Sequence, residues 1–247
     1  MLSNPQRGNK MLKVLVPTDF SGSGINAAAF AIELFNKKTD ELILENVFQT
    51  PKEKSGTLIS IGDIISNESK TLLEKERRHL KAEYKDINIF IQSEEGSIVH
   101  TIKNAMKAKD INLLVLGIAK HATQLSRITS SFVENPQYWP MLTVPQNSYN
   151  KKSTELVIIV SEDSSGNRAI ELENYLKEVD LEGHKMHHLK FPGKGDIEGL
   201  KQHIAVLLKK HKIGLLVFNT GKGDRLQKAV YAHQFDSYLL SFPALLI

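Results

Sequence analysis

The sequence predicts an α/β chain made of two parallel-sheet units in tandem, the second shorter than the first. Three observations carry that reading. Short strands that are apolar on both faces alternate with amphipathic helices. The same order of elements restarts after residue 153. At 247 residues the chain also exceeds one typical domain of roughly 100 to 200.

The first strand is Lys13-Val14-Leu15-Val16-Pro17, a buried run closed by the turn Thr18-Asp19-Phe20-Ser21-Gly22. Ala28, Ala31, Ile32 and Phe35 then recur at helical spacing, with Ser21 or Ser23 as the expected N-cap. Leu42 to Phe48 reads as the second strand. Ile61, Ile64, Ile65, Leu72, Leu73 and Leu80 mark one face of a long helix. Ile87 to Ile91 is the third strand, and Ile98, Ile102, Ala105 and Met106 line the next helix. Ile111 to Leu116 makes a fourth strand ending at Gly117, and Met141 to Val144 a fifth.

Asn147 to Ser153 is polar and lacks apolar periodicity, which suits a linker. The expected organisation is a disordered leader at 1–10, a first unit at 11–147, a linker at 148–153 and a shortened unit at 154–247. Leu156 to Val160 followed by Ser161-Glu162-Asp163-Ser164-Ser165-Gly166 repeats the opening of the first unit: apolar strand, acid, serine, glycine, helix. Ala169, Leu172, Leu176 and Val179 share a helix face. The strand Met186 to Phe191 and the helix after Glu198-Gly199-Leu200 align with the third strand and third helix. One strand-helix piece, the counterpart of Leu42 to Glu74, is therefore missing. The closing runs match again, Leu113 to Gly117 with Leu215 to Asn219, and Pro140-Met141-Leu142 with Pro243-Ala244-Leu245.

Composition narrows the function classes. Apolar residues make up 41% of the chain, enough for a folded core. No cysteine is present, so disulfides, thiolate metal sites and cysteine nucleophiles are excluded, and a cytoplasmic location is expected. No apolar run reaches the roughly 18 residues of a membrane span, and the first ten residues do not have the pattern of a secretory signal. The net charge of +4 comes from lysines mixed with acids, without the dense basic stripe of a nucleic-acid surface.

The run Val14-Leu15-Val16-Pro17-Thr18-Asp19-Phe20-Ser21, the alanines 27–29, and Leu113 to Gly117 followed by Pro140 to Pro145 together resemble the universal stress protein family. The resemblance covers Met11 to Pro145, with a weaker repeat to Ile247. It implies flavodoxin-like units of the adenine nucleotide alpha hydrolase type, with a five-stranded parallel sheet and a ligand crevice at the carboxyl ends of the strands. It also implies pairing of last strands across a two-fold axis, so that the tandem halves form a pseudo-dimer within the chain and a homodimer is possible. An unidentified protein partner is expected.

In nucleotide-binding members of that family an aspartate after the first strand lies near adenine and ribose. Loop glycines and a glycine-hydroxyl pair hold the phosphates, because glycine lets backbone N–H groups approach the anion. Asp19 matches the aspartate, Val47 the apolar residue at the second strand end, Gly117 the first loop glycine and Ser131 the hydroxyl residue. Lys120 and Ser130 stand where glycines are required. The site for ATP or AMP is thus read as degraded, with Lys120 either offsetting a lost contact by its charge or lying in solvent. In the second unit Asn219 replaces the first glycine, and His233-Gln234 replaces the glycine-hydroxyl pair. Asp163 is expected to cap its helix together with Ser164 and Ser165.

Other motifs favour plain readings. Thr220 to Arg225 lacks the spacing of a phosphate loop, and Ser21-Gly22-Ser23-Gly24 lacks the internal aspartate of a pyrophosphatase-type loop. His184, His187 and His188 suggest metal at first sight, but 187 and 188 point to opposite faces of a strand. No metal is expected from them. Tyr138 and Trp139 are expected to anchor a helix end. No catalytic group is assigned.

Overall fold

The computed structural model describes residues 12–35, 38–51, 60–119, 139–146, 155–161, 166–191, 197–219 and 242–247. Its strands are β1 (Leu12–Pro17), β2 (Thr39–Phe48), β3 (Asn88–Glu95), β4 (Leu113–Ile118), β5 (Met141–Pro145), β6 (Glu155–Ser161), β7 (Lys185–Phe191), β8 (Ile213–Asn219) and β9 (Ala244–Leu246). Between them lie α1 (Ser23–Phe35), α2 (Ile61–Glu83), α3 (Ile98–Ala108), α4 (Gly166–Glu178) and α5 (Ile197–Lys210). The strands form one sheet in the order β3-β2-β1-β4-β5-β9-β8-β6-β7.

Period-two alternation sends successive strand residues to opposite faces, and both faces are covered. One face carries a continuous cluster in which Val14, Val16, Leu142, Leu245, Val217 and Ile158 of the strands join Ala27, Ala31 and Phe35 of α1, Leu73 and Leu80 of α2, and Leu172 and Leu176 of α4. Leu15, Ile43, Leu114, Val157 and Ile159 meet Ile102, Ala105 and Met106 of α3 and Leu200 and Ile204 of α5 on the other side. Trp139 packs against that second cluster.

Three details differ from the sequence reading. The third strand runs on through Gln92-Ser93-Glu94-Glu95, past the apolar residues, because β3 is an edge strand with solvent beside it. The start of α1 follows Gly22, whose φ of +81° suits glycine and whose carbonyl accepts from Asn26 N at 3.1 Å; Ser23 is already helical. Finally, β7 pairs directly with β6, the lane that β2 holds beside β1. The missing piece therefore leaves its vacancy at the outer edge of the sheet, whatever its origin in the alignment. An empty lane inside the sheet would strand backbone N–H and C=O groups without partners.

The two halves join through β5 and β9, where Met141, Leu142 and Thr143 pair with Leu246, Leu245 and Ala244. Among the described residues theirs is the antiparallel ladder in an otherwise parallel sheet. A two-fold relation between equivalent strands reverses their direction, so this is the pairing expected of a pseudo-dimer within one chain. Thr143, fully buried, adds a side-chain bond from Oγ1 to the carbonyl of Ala244 at 3.2 Å. Thr143→Val keeps the volume and removes that bond, and should lower stability by about 1 kcal/mol in urea denaturation.

Candidate functional site

Strand order reverses at β1, with β2 on one side and β4 on the other, and the crevice at the carboxyl ends of β1 and β4 is where open α/β sheets bind ligands. Asp19, Val47 and Gly117 all lie at that edge, on or just beyond three neighbouring strands. Lys120, Ser130 and Ser131 lie outside the described residues. So do Tyr138, Asp163, Ser164, Ser165, His233, Gln234 and the run 220–225.

Asp19 is exposed, and its Oδ1 accepts the backbone N–H of Ser21 at 3.0 Å. An aspartate bonded to the amide two residues on is a turn former, which accounts for the residue without a ligand. Phe20 takes a left-handed φ of 63° in the same turn, and its N–H donates to Thr18 Oγ1 at 3.1 Å. Thr18 in turn donates to Glu76 Oε1 at 3.2 Å, and its carbonyl accepts from Asn46 Nδ2 at 2.8 Å. Asn46 Oδ1 accepts from Ser69, which accepts from Ser93. This polar chain fastens the carboxyl ends of β1, β2 and β3 to α2.

At Gly117 packing by itself requires a residue without a side chain. A Cβ there would lie 2.2 Å from the Ser23 carbonyl oxygen and 2.8 Å from the Gly24 nitrogen. The first turn of α1 rests directly on β4, so residue 117 must be small for helix and strand to pack, whether or not phosphate approaches. On β8 the corresponding Asn219 is buried, and its Nδ2 has no hydrogen-bond partner among the described residues.

Two buried carboxyls line this edge, and sequence reading missed both. Glu45 is fully buried on the face of β2 shared with Ile43 and Val47, and neither of its oxygens has a hydrogen-bond partner among the described residues. Burial pushes its carboxyl up to about 7, Lys109 opposing and Glu94 adding to the shift. Glu76 is also raised by burial; the Thr18 bond opposes this and nearby Asp19 adds to it. A glutamate inside an apolar run whose two faces are both covered was the available signal for Glu45.

Among the histidines, His187 is half-buried on β7 and His188 exposed. The partners of His187 are Glu155 and His211, from two other elements, rather than His184 or His188. Among the described residues no helix is long and apolar enough to cross a membrane.

The family model described as the Universal stress protein family matches residues 11–135. Among solved structures, a universal stress protein from Archaeoglobus fulgidus is 13% identical with a TM-score of 0.57, covering 95% of each chain. A putative universal stress protein from Pseudomonas aeruginosa is 11% identical with a TM-score of 0.49, over 97% of this chain and 94% of that one. A universal stress protein in complex with cAMP is 18% identical with a TM-score of 0.42, over 56% of this chain and 99% of the other. No curated protein sequence matches significantly.

Proposed function

The chain belongs to the universal stress protein family, and from that premise we propose that it is a non-enzymatic, cytoplasmic stress-response protein acting by protein association or small-ligand sensing. We further propose units at 11–147 and 154–247 around a linker, with the nucleotide site of the first degraded. The observation that supports this most is at Gly117. Its lack of a side chain is already required by the backbone of Ser23 and Gly24, so it no longer counts toward phosphate binding. Asp19, the counterpart of the aspartate near adenine and ribose, is satisfied in part by its own turn, and the residues left for phosphate are Lys120, Ser130 and Ser131. Two of these carry side chains where glycine is needed.

A second reading is an ATP- or AMP-binding switch with slow hydrolysis or autophosphorylation. It is favoured by one observation, the gathering of Asp19, Val47 and Gly117 at the strand-order reversal. Isothermal titration with ATP and AMP, with and without magnesium, separates the two. The first reading expects no heat up to millimolar nucleotide. Tight magnesium-dependent binding that disappears in Asp19→Ala would establish the switch instead.

A further inference from the structure

In the second half of the sheet, where β6, β7 and β8 begin, three metal-ligating side chains from separate elements converge. Glu155 opens β6, His187 is the third residue of β7, and His211 lies in the turn from α5 into β8. Parallel pairing of β7 and β8 on either side of β6 brings them together, with Glu155 in register with Lys185 and Ile213. Glu155 Oε2 stands 2.7 Å from His187 Nε2 and 3.2 Å from His211 Nδ1, and the three ligand atoms lie within 4.8 Å of one another. The imidazole centroids are 4.2 Å apart, tilted by 47°. The side chains are mostly shielded, at 18%, 16% and 29% exposure for Glu155, His187 and His211.

We propose that Glu155, His187 and His211 form a zinc-binding site. Zinc holds imidazole nitrogen and carboxylate oxygen at about 2.0 Å in a tetrahedron, which sets ligand atoms roughly 3.3 Å apart. The Glu155–His211 separation already has that value, and the Glu155–His187 pair needs to open by only about 0.6 Å, within the reach of side-chain rotation. Two nitrogens and one oxygen select zinc over magnesium or calcium, which prefer all-oxygen shells. Solvent supplies the fourth ligand from the exposed side of His211.

Lys185 Nζ, 3.3 Å from the same Glu155 oxygen, is the competing cation. Its side chain is 61% exposed and can turn into water when the metal enters. The bound ion would tie together the starts of three neighbouring strands in the shortened half. The site's residues belong to β6, β7 and the turn before β8, which β4, β5 and β9 separate from β1, so the proposal stands or falls independently of the nucleotide crevice.

The test uses full-length, untagged protein stripped with a chelator and titrated with zinc chloride, followed by cobalt(II) as a spectroscopic probe. The expected result is one zinc per chain, a rise in Tm on zinc addition, and the intense visible bands of four-coordinate cobalt. His187→Ala and His211→Ala should each weaken zinc binding at least ~10-fold, because loss of a mere outer-shell partner already costs that much. His188→Ala should bind as the parent does. If His187→Ala does not fold by circular dichroism, His211→Ala and Glu155→Gln give the same readout. Absence of zinc binding by the parent, only the weak bands of six-coordinate cobalt, or unchanged affinity in a folded His187→Ala or His211→Ala overturns the site.

Discussion

Gly117→Ala should destabilise the protein by about 3 kcal/mol or more, the upper end of the cost of forcing extra volume into a packed interior. The added methyl would sit 2.2 Å from the Ser23 carbonyl oxygen and 2.4 Å from its carbonyl carbon. Both obstacles are backbone, so no side-chain rotation relieves the collision. Strand β4 is fixed between β1 and β5, and α1 is fixed by Ala27, Ala31 and Phe35, so neither element can retreat alone. Urea denaturation followed by circular dichroism measures the loss directly. A change below 1 kcal/mol would show that helix and strand are not held at this distance, and would return Gly117 to a ligand-binding explanation.

Glu45→Gln should flatten a pH dependence that the parent protein displays between about pH 4.5 and 7. The folded-state carboxyl titrates at about 7 against an ordinary value of 4.5. In that window the native state keeps a proton that the unfolded state has lost, so stability falls as pH rises. The loss is absent below pH 4.5 and complete above 7, amounting to about 3 kcal/mol. Glutamine keeps the shape and cannot ionise, so the variant should exceed the parent in stability at pH 8 and equal it near pH 4. Taking the difference between the two proteins cancels the other carboxyls, including Glu76, whose raised value acts in the same direction. Equal slopes for both proteins would sink the assignment. Since Glu45 shares its strand face with Val47, its ionisation also places a charge under the crevice near neutral pH.

Much of this architecture was readable one segment at a time. The runs Val14-Leu15-Val16 and Leu113 to Leu116 announced buried strands because a strand covered on both faces needs apolar residues at every position. The spacing of Leu73 and Leu80 located the buried stripe of α2, and the second pass through the same order announced a repeat. The pairing of β5 with β9 was also expected, from the family resemblance.

What distant segments do to one another was not readable in this way. His188 is the neighbour of His187 in sequence, while the partners of His187, Glu155 and His211, are brought by β6 and by the turn before β8. Gly117 matches a loop glycine by resemblance, and its neighbour in space is the first turn of α1, 94 residues earlier. Element type and face follow from side-chain periodicity along the chain, so the sequence alone determined an α/β repeat with a shortened second half. Strand order and helix contact depend on pairing between segments far apart in the chain. Tertiary structure alone therefore decided that packing requires a glycine at 117, that neither Glu45 oxygen has a hydrogen-bond partner among the described residues, and that two histidines and a glutamate meet where three strands begin.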